Sequence, residues 1–152
     1  MKIDKIAFQN SIIDMICCYM NETSYECIST SSINYLLKFL MDNDVDIDYN
    51  DVYLNYVVYI KNITLTKMLI KKGADVNHYE EFFDTCYYDC YGMPLFIAVI
   101  TNNLKIAKIL LENGADVSVK NKNGYTPLNI AIKHDFKEMV DLLIKYGAKE
   151  NE

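Results

Sequence analysis

Residues 93–117 of this chain return as residues 126–150 with their chemistry almost unchanged. Pro94 answers Pro127, Leu95 answers Leu128, Ala98 answers Ala131, Leu110 answers Leu143 and Gly114 answers Gly147, every pair at the same offset. A period of about 33 residues marks a stacked array, in which one short unit recurs and each copy buries its apolar face only against its neighbours.

Each recurring residue has a physical task. Proline at the first helical position loses no hydrogen bond, because that amide would be unpaired anyway, and a Thr just before it accepts from first-turn amides. Thr126 and Pro127 are therefore predicted to open a helix, whereas Met93 before Pro94 lacks the cap. Leu95 with Ala98, and Leu128 with Ala131, stand three apart on one helix face, where Ala lets neighbouring helices approach closely. Gly114 and Gly147 supply the left-handed conformation that ends the second helix of each unit.

Earlier in the chain the pattern weakens. Lys67 to Asn77 is a third second-helix ending, built around Gly73 and preceded by a first helix near positions 52–60. A divergent fourth spans Phe39 to Ile47, with Asp44 and Val45 in place of Gly-Ala. The recurring unit, opening with Thr-Pro-Leu and closing with Leu-Leu-x-x-Gly-Ala, resembles the ankyrin repeat; Asn129 stands where that family usually carries His. The resemblance implies an all-α solenoid of stacked helix-turn-helix pairs in one domain, with about four repeats: a divergent one at 5–48, then 49–77, 78–118 and 119–152. The absence of Arg, the abundance of Asn, Ile, Lys and Tyr, and the degenerate units together resemble the ankyrin proteins of poxviruses and other large DNA viruses.

The interval between equivalent glycines is longer from Gly73 to Gly114 than from Gly114 to Gly147. About eight extra residues have therefore entered the connection at 77–91, and insertions in repeat arrays map to one face, often the binding face. That stretch holds Tyr79, Phe82, Phe83, Tyr87, Tyr88 and Tyr91. Large exposed aromatics anchor interfaces. Two readings stand: a contact site, or a segment folded back over its own helices.

Charge is uneven. Positions 1–60 hold nine carboxylates and three Lys, and positions 61–152 hold twelve of each, so the whole net charge of −6 is N-terminal. Asp42, Asp44, Asp46, Asp48 and Asp51 alternate through a predicted loop that would repel a phosphate backbone, which makes nucleic acid a poor partner. They form either a solvated hairpin or a docking surface for a basic partner. A calcium loop would need Gly and Glu at positions where this stretch lacks them.

Little points to catalysis. His78 and His134 are the two histidines, no Gly-rich phosphate loop follows a strand, and Ser29 to Ser32 read as a helix cap rather than a nucleophile. Cys86 and Cys90 form a C-x3-C pair with no second pair at metal-ligand spacing, so neither a metal nor another cofactor is expected. No apolar run reaches the length needed to span a bilayer, and the N-terminus carries no secretory pattern, so a monomer in the cytoplasm or nucleus of a host cell is expected.

The resemblance implies a protein-recognition module rather than an enzyme. It places the recognition surface on the loops around Asp46 to Asp51, Asn77 to Gly92 and Val117 to Tyr125, with Phe96, Asn129 and Lys133 on first helices. The expected function is sequestration of a host protein. Alternatives are a substrate adaptor for host ubiquitin ligase machinery, disfavoured because no F-box-like segment follows Gly147, and a decayed fragment of a longer ankyrin gene.

Overall fold

The computed structural model describes residues 50–79 and 92–149, all within the unit 49–152 that forms one of the two into which the chain's contacts divide it. The divergent repeat expected at 5–48 lies outside the described residues.

The described residues form six helices and no strand: α1 (Asn50–Tyr59), α2 (Ile63–Lys71), α3 (Pro94–Ile100), α4 (Leu104–Glu112), α5 (Pro127–Lys133) and α6 (Lys137–Lys145). They make three pairs, α1 with α2, α3 with α4 and α5 with α6. The first helices α1, α3 and α5 pack in one row and α2, α4 and α6 in a second, so each pair stacks on the next.

The starts of these helices follow from short-range chemistry. Thr126 caps α5 by accepting from the Asn129 amide at 3.2 Å. Asn129 Oδ1 in turn accepts from the Thr126 amide and hydroxyl, both at 2.9 Å, closing a reciprocal capping box. Met93 before α3 makes no side-chain cap, as expected. In the second row Asn62 and Asn103 accept from the amides of Leu65 and Ile106, each at 3.1 Å, while Phe136 before α6 offers none.

The turn inside each pair is the same backbone object three times over. Lys61, Asn102 and Asp135 take φ of 60°, 47° and 55°. The next amide then donates back into the first helix, Asn62 to Val57, Asn103 to Ala98 and Phe136 to Ala131, at 2.9, 2.9 and 3.0 Å. Second helices end at Gly73, Gly114 and Gly147, with φ of 95°, 89° and 96°, a region in which a Cβ is strained even where space is open.

Packing repeats with the same register. Leu54, Leu95 and Leu128 are buried in the first row, as are Val57, Ala98 and Ala131, and Leu69, Leu110 and Leu143 in the second. Each buried Leu contributes roughly 1.5–3 kcal/mol, and the Ala positions let the pairs approach closely. Two expectations are corrected. Asp51 belongs to helix α1 rather than to the preceding loop, because that helix begins at Asn50. Phe96, expected on the exposed inner face, is 1% exposed, because α3 is buried along Pro94 to Val99 rather than on one side only.

Candidate protein-binding surface

Two loop tips, at 74–79 and 115–126, project from the ends of the helix pairs, and side-chain amides fix both. Asn77 reaches across the repeat boundary: its Nδ2 donates to the Gly114 carbonyl at 3.0 Å, and its Oδ1 accepts from the Asp116 amide at 2.9 Å. One carboxamide thus satisfies a carbonyl at a helix end and the amide two positions beyond it. Each tip also holds an Asx turn, in which Asp75 accepts from the Asn77 amide at 2.9 Å and Asp116 from the Ser118 amide at 2.8 Å.

The second tip is the more completely described. Asn121 is buried and acts as its hub, with Oδ1 accepting from the amides of Asn123 and Tyr125, both at 2.8 Å. Its own amide donates to the Tyr125 carbonyl at 2.9 Å, and its carbonyl accepts from Gly124 at 2.9 Å. The turn therefore holds its shape from within and presents Lys120, Lys122, Asn123 and Tyr125 to solvent. The Ser118 hydroxyl, 2.7 Å from the Asp116 carboxylate, holds that carboxyl below its ordinary pKa, with the Ser118 amide adding to the effect.

Between this tip and the inner helix lies a hollow of about 310 Å³, lined by Tyr79, Met93, Phe96, Lys120, Asn121 and Lys122. The lining combines the apolar Met93 and Phe96 with two cations, Lys120 and Lys122. Tyr79 is thus brought together with the 117–125 loop. Asn129 is half-buried, its Oδ1 engaged in the capping box, and Lys133 is exposed at the end of α5. Asp46, Asp48, Phe82, Phe83, Tyr87, Tyr88 and Tyr91, like Cys86 and Cys90, lie outside the described residues.

Sequence reasoning located the 117–125 loop but missed the residues that hold the tips. Asn77 and Asn121 carry a readable signal, since an Asn a short step before the amides it can accept from is the mark of an Asx turn. Asn55 gave no such signal. It is fully buried in α1 and donates to the distant Gly92 carbonyl at 2.9 Å.

The model of the ankyrin repeat family matches residues 54–152 as three copies. The chain belongs to the ankyrin repeat family. Its relatives include an ankyrin repeat protein of fowlpox virus, 34% identical over 90 residues, which are 59% of this chain and 25% of that protein. An ankyrin repeat protein of Rickettsia felis is 37% identical over 111 residues, covering 68% of this chain and 46% of that protein. One of Acanthamoeba polyphaga mimivirus is 26% identical over 152 residues, covering 93% and 24% respectively. The chain spans less than half the length of each of these three relatives. Ankyrin arrays are non-enzymatic folds that bind other proteins, and no helix among the described residues is long and apolar enough to cross a membrane.

Proposed function

We propose that this ankyrin protein binds and sequesters a protein of a host cell, in the cytoplasm or nucleus, through its loop tips and inner helices. The observation that carries the reading is the bracing of the tips by Asn77 and Asn121, which leaves Tyr79, Lys120, Lys122 and Tyr125 facing solvent on a pre-set scaffold. A loop ordered before encounter loses less conformational entropy on binding, and exposed Tyr and Lys there have no role in the core. Poxvirus and mimivirus relatives support a viral setting for that host protein. The acidic residues at 42–51 and the aromatic residues at 79–91 are proposed as further contacts on the strength of their sequence alone.

Quantitative affinity purification from host cells tests the reading. Wild type should recover a defined partner, and the combined Tyr79→Ser, Lys120→Glu, Tyr125→Ser variant should lose most of it while keeping its helical spectrum. Equal recovery by both forms would remove the tips from the interaction. Enrichment of cullin components would replace sequestration with the adaptor reading.

A further inference from the structure

The hollow beside the second loop tip is rich in hydrogen-bond donors, and one of them is orphaned. Asn121 lines it and is only 8% exposed. Its own loop decides how the carboxamide lies: Oδ1 accepts from the amides of Asn123 and Tyr125, both at 2.8 Å, so the opposite end must be the Nδ2 donor. That Nδ2 is buried and has no hydrogen-bond partner among the described residues. A buried N–H without an acceptor has given up its hydration with nothing in exchange, and such groups are uncommon in native structures. Asn77, which braces the other tip, uses both ends of its carboxamide.

The rest of the lining carries the sign that an orphaned donor calls for. Lys120 and Lys122 flank Asn121 in the sequence, both are exposed, and no carboxylate is among the described residues that line the hollow. Ammonium groups only donate, so what is missing is an anionic acceptor. Met93 and Phe96 add apolar surface beside it. The volume of about 310 Å³ lies at the low end of the roughly 300–1,000 Å³ usual for ligand sites, which suits a side chain or two. One amide and two ammonium groups match the two oxygens of a carboxylate better than the three of a phosphate.

We propose that this hollow receives the carboxylate of an Asp or Glu side chain on the bound polypeptide, with an apolar neighbour of that residue against Met93. One carboxylate oxygen accepts from Asn121 Nδ2, and the ammonium groups of Lys120 and Lys122 pair with the other, their exposed side chains rotating to admit the acid. The inference rests on the reading of the loop tips as the binding surface and narrows it. The segment that the partner lays on this tip is acidic.

NMR titration of the full chain with two end-blocked peptides, Ala-Leu-Glu-Phe-Ala and the same sequence with Gln in place of Glu, reads the result at the Asn121 side-chain amide. The Glu peptide should move that signal saturably, and the Gln peptide should bind roughly tenfold more weakly, as loss of a charge-assisted bond implies. Asn121→Asp keeps an oxygen for the Asn123 and Tyr125 amides but puts an acceptor where the donor was. It should hold those amides in place and lose the Glu peptide, as should Lys120→Glu, Lys122→Glu with an unchanged helical spectrum. A Glu peptide that leaves the Asn121 signal unmoved, that binds no better than its Gln twin, or that binds Asn121→Asp undiminished would overturn the proposal. Inorganic phosphate that moves the same signal more strongly would overturn the choice of a carboxylate. Peptide binding that appears only after Glu80→Gln, Glu81→Gln would give the hollow to the chain's own carboxylates and overturn it too. These peptides are not the host partner, so their failure leaves the purification result for the tips standing, and the two readings fail separately.

Discussion

The first and last described repeats reach one backbone with different residues. Helix α5 is opened by Thr126 and Pro127 with a reciprocal cap, whereas α1 begins at Asn50 with neither and buries Tyr53, Asn55 and Tyr56 instead. The turn that follows is left-handed in both, at Asp135 in one and Lys61 in the other. The second helix is capped by Asn62 in the early repeat and lacks a side-chain cap at Phe136 in the late one. What both share is the buried Leu, the close-packed positions and the terminal glycine. The array therefore constrains conformation and volume at each position more strictly than identity, and local capping devices are interchangeable.

The largest effect that would break this equivalence is in the core. Leu69→Ala and Leu143→Ala remove equivalent side chains that are both fully buried, and each should cost about 3 kcal/mol in urea unfolding. A negligible cost at either would mean that the two repeats are not packed alike. Next in size is the cap: Thr126→Ala should lose about 1 kcal/mol, and Met93→Thr should gain a similar amount, because Met93 occupies the equivalent place without a side-chain acceptor. No change from either substitution in chemical denaturation would contradict the register.

A smaller effect is expected at the turn. Lysine is a poor occupant of the left-handed region that Asn102 and Asp135 fill at the same point of their repeats. Lys61→Asn should therefore raise stability by about 0.5 kcal/mol, and a lowered melting temperature would show that Lys61 has another task. The smallest effect concerns Asp116. Its carboxyl is depressed first by the Ser118 hydroxyl and then by the Ser118 amide, so its contribution is present above the unfolded-state pKa and is lost as pH falls through the lower folded one. Ser118→Ala should move the Asp116 titration, followed by NMR, up towards the ordinary carboxylate range; an unmoved titration would discount the hydroxyl.

Much of the fold was legible because the array uses the same spacing three times. Thr126, Pro127 and the glycines at 73, 114 and 147 marked element ends at their true places, and Met93 was recognised as a missing cap. The first described repeat was legible mainly through its second helix, since α1 has no proline or Thr to announce it. Phe96 does line the hollow beside the 117–125 loop, but its exposure was misjudged because nothing in so short an apolar helix shows that it is buried along Pro94 to Val99. At the surface, the loop expected at 117–125 is a loop in the structure, and Tyr79 lies beside it. Asn77 and Asn121 fall in the expected loops, but their bracing role was not legible, because their partners are backbone groups that a side-chain pattern does not record. Asn129 was expected as a contact residue, and the structure adds that its Oδ1 serves the start of its own helix.

The proposed recognition role depends on loop tips that are braced across and within repeats before any partner arrives. Amide hydrogen exchange on the free protein and on Asn77→Ala tests this most directly. In wild type the amides of Asp116, Asn123 and Tyr125, each held by a side-chain carboxamide, should exchange slowly. In Asn77→Ala the Asp116 amide alone should lose that protection while Asn123 and Tyr125 keep theirs. Fast exchange at all three amides in wild type, or no change at Asp116 in the variant, would contradict it.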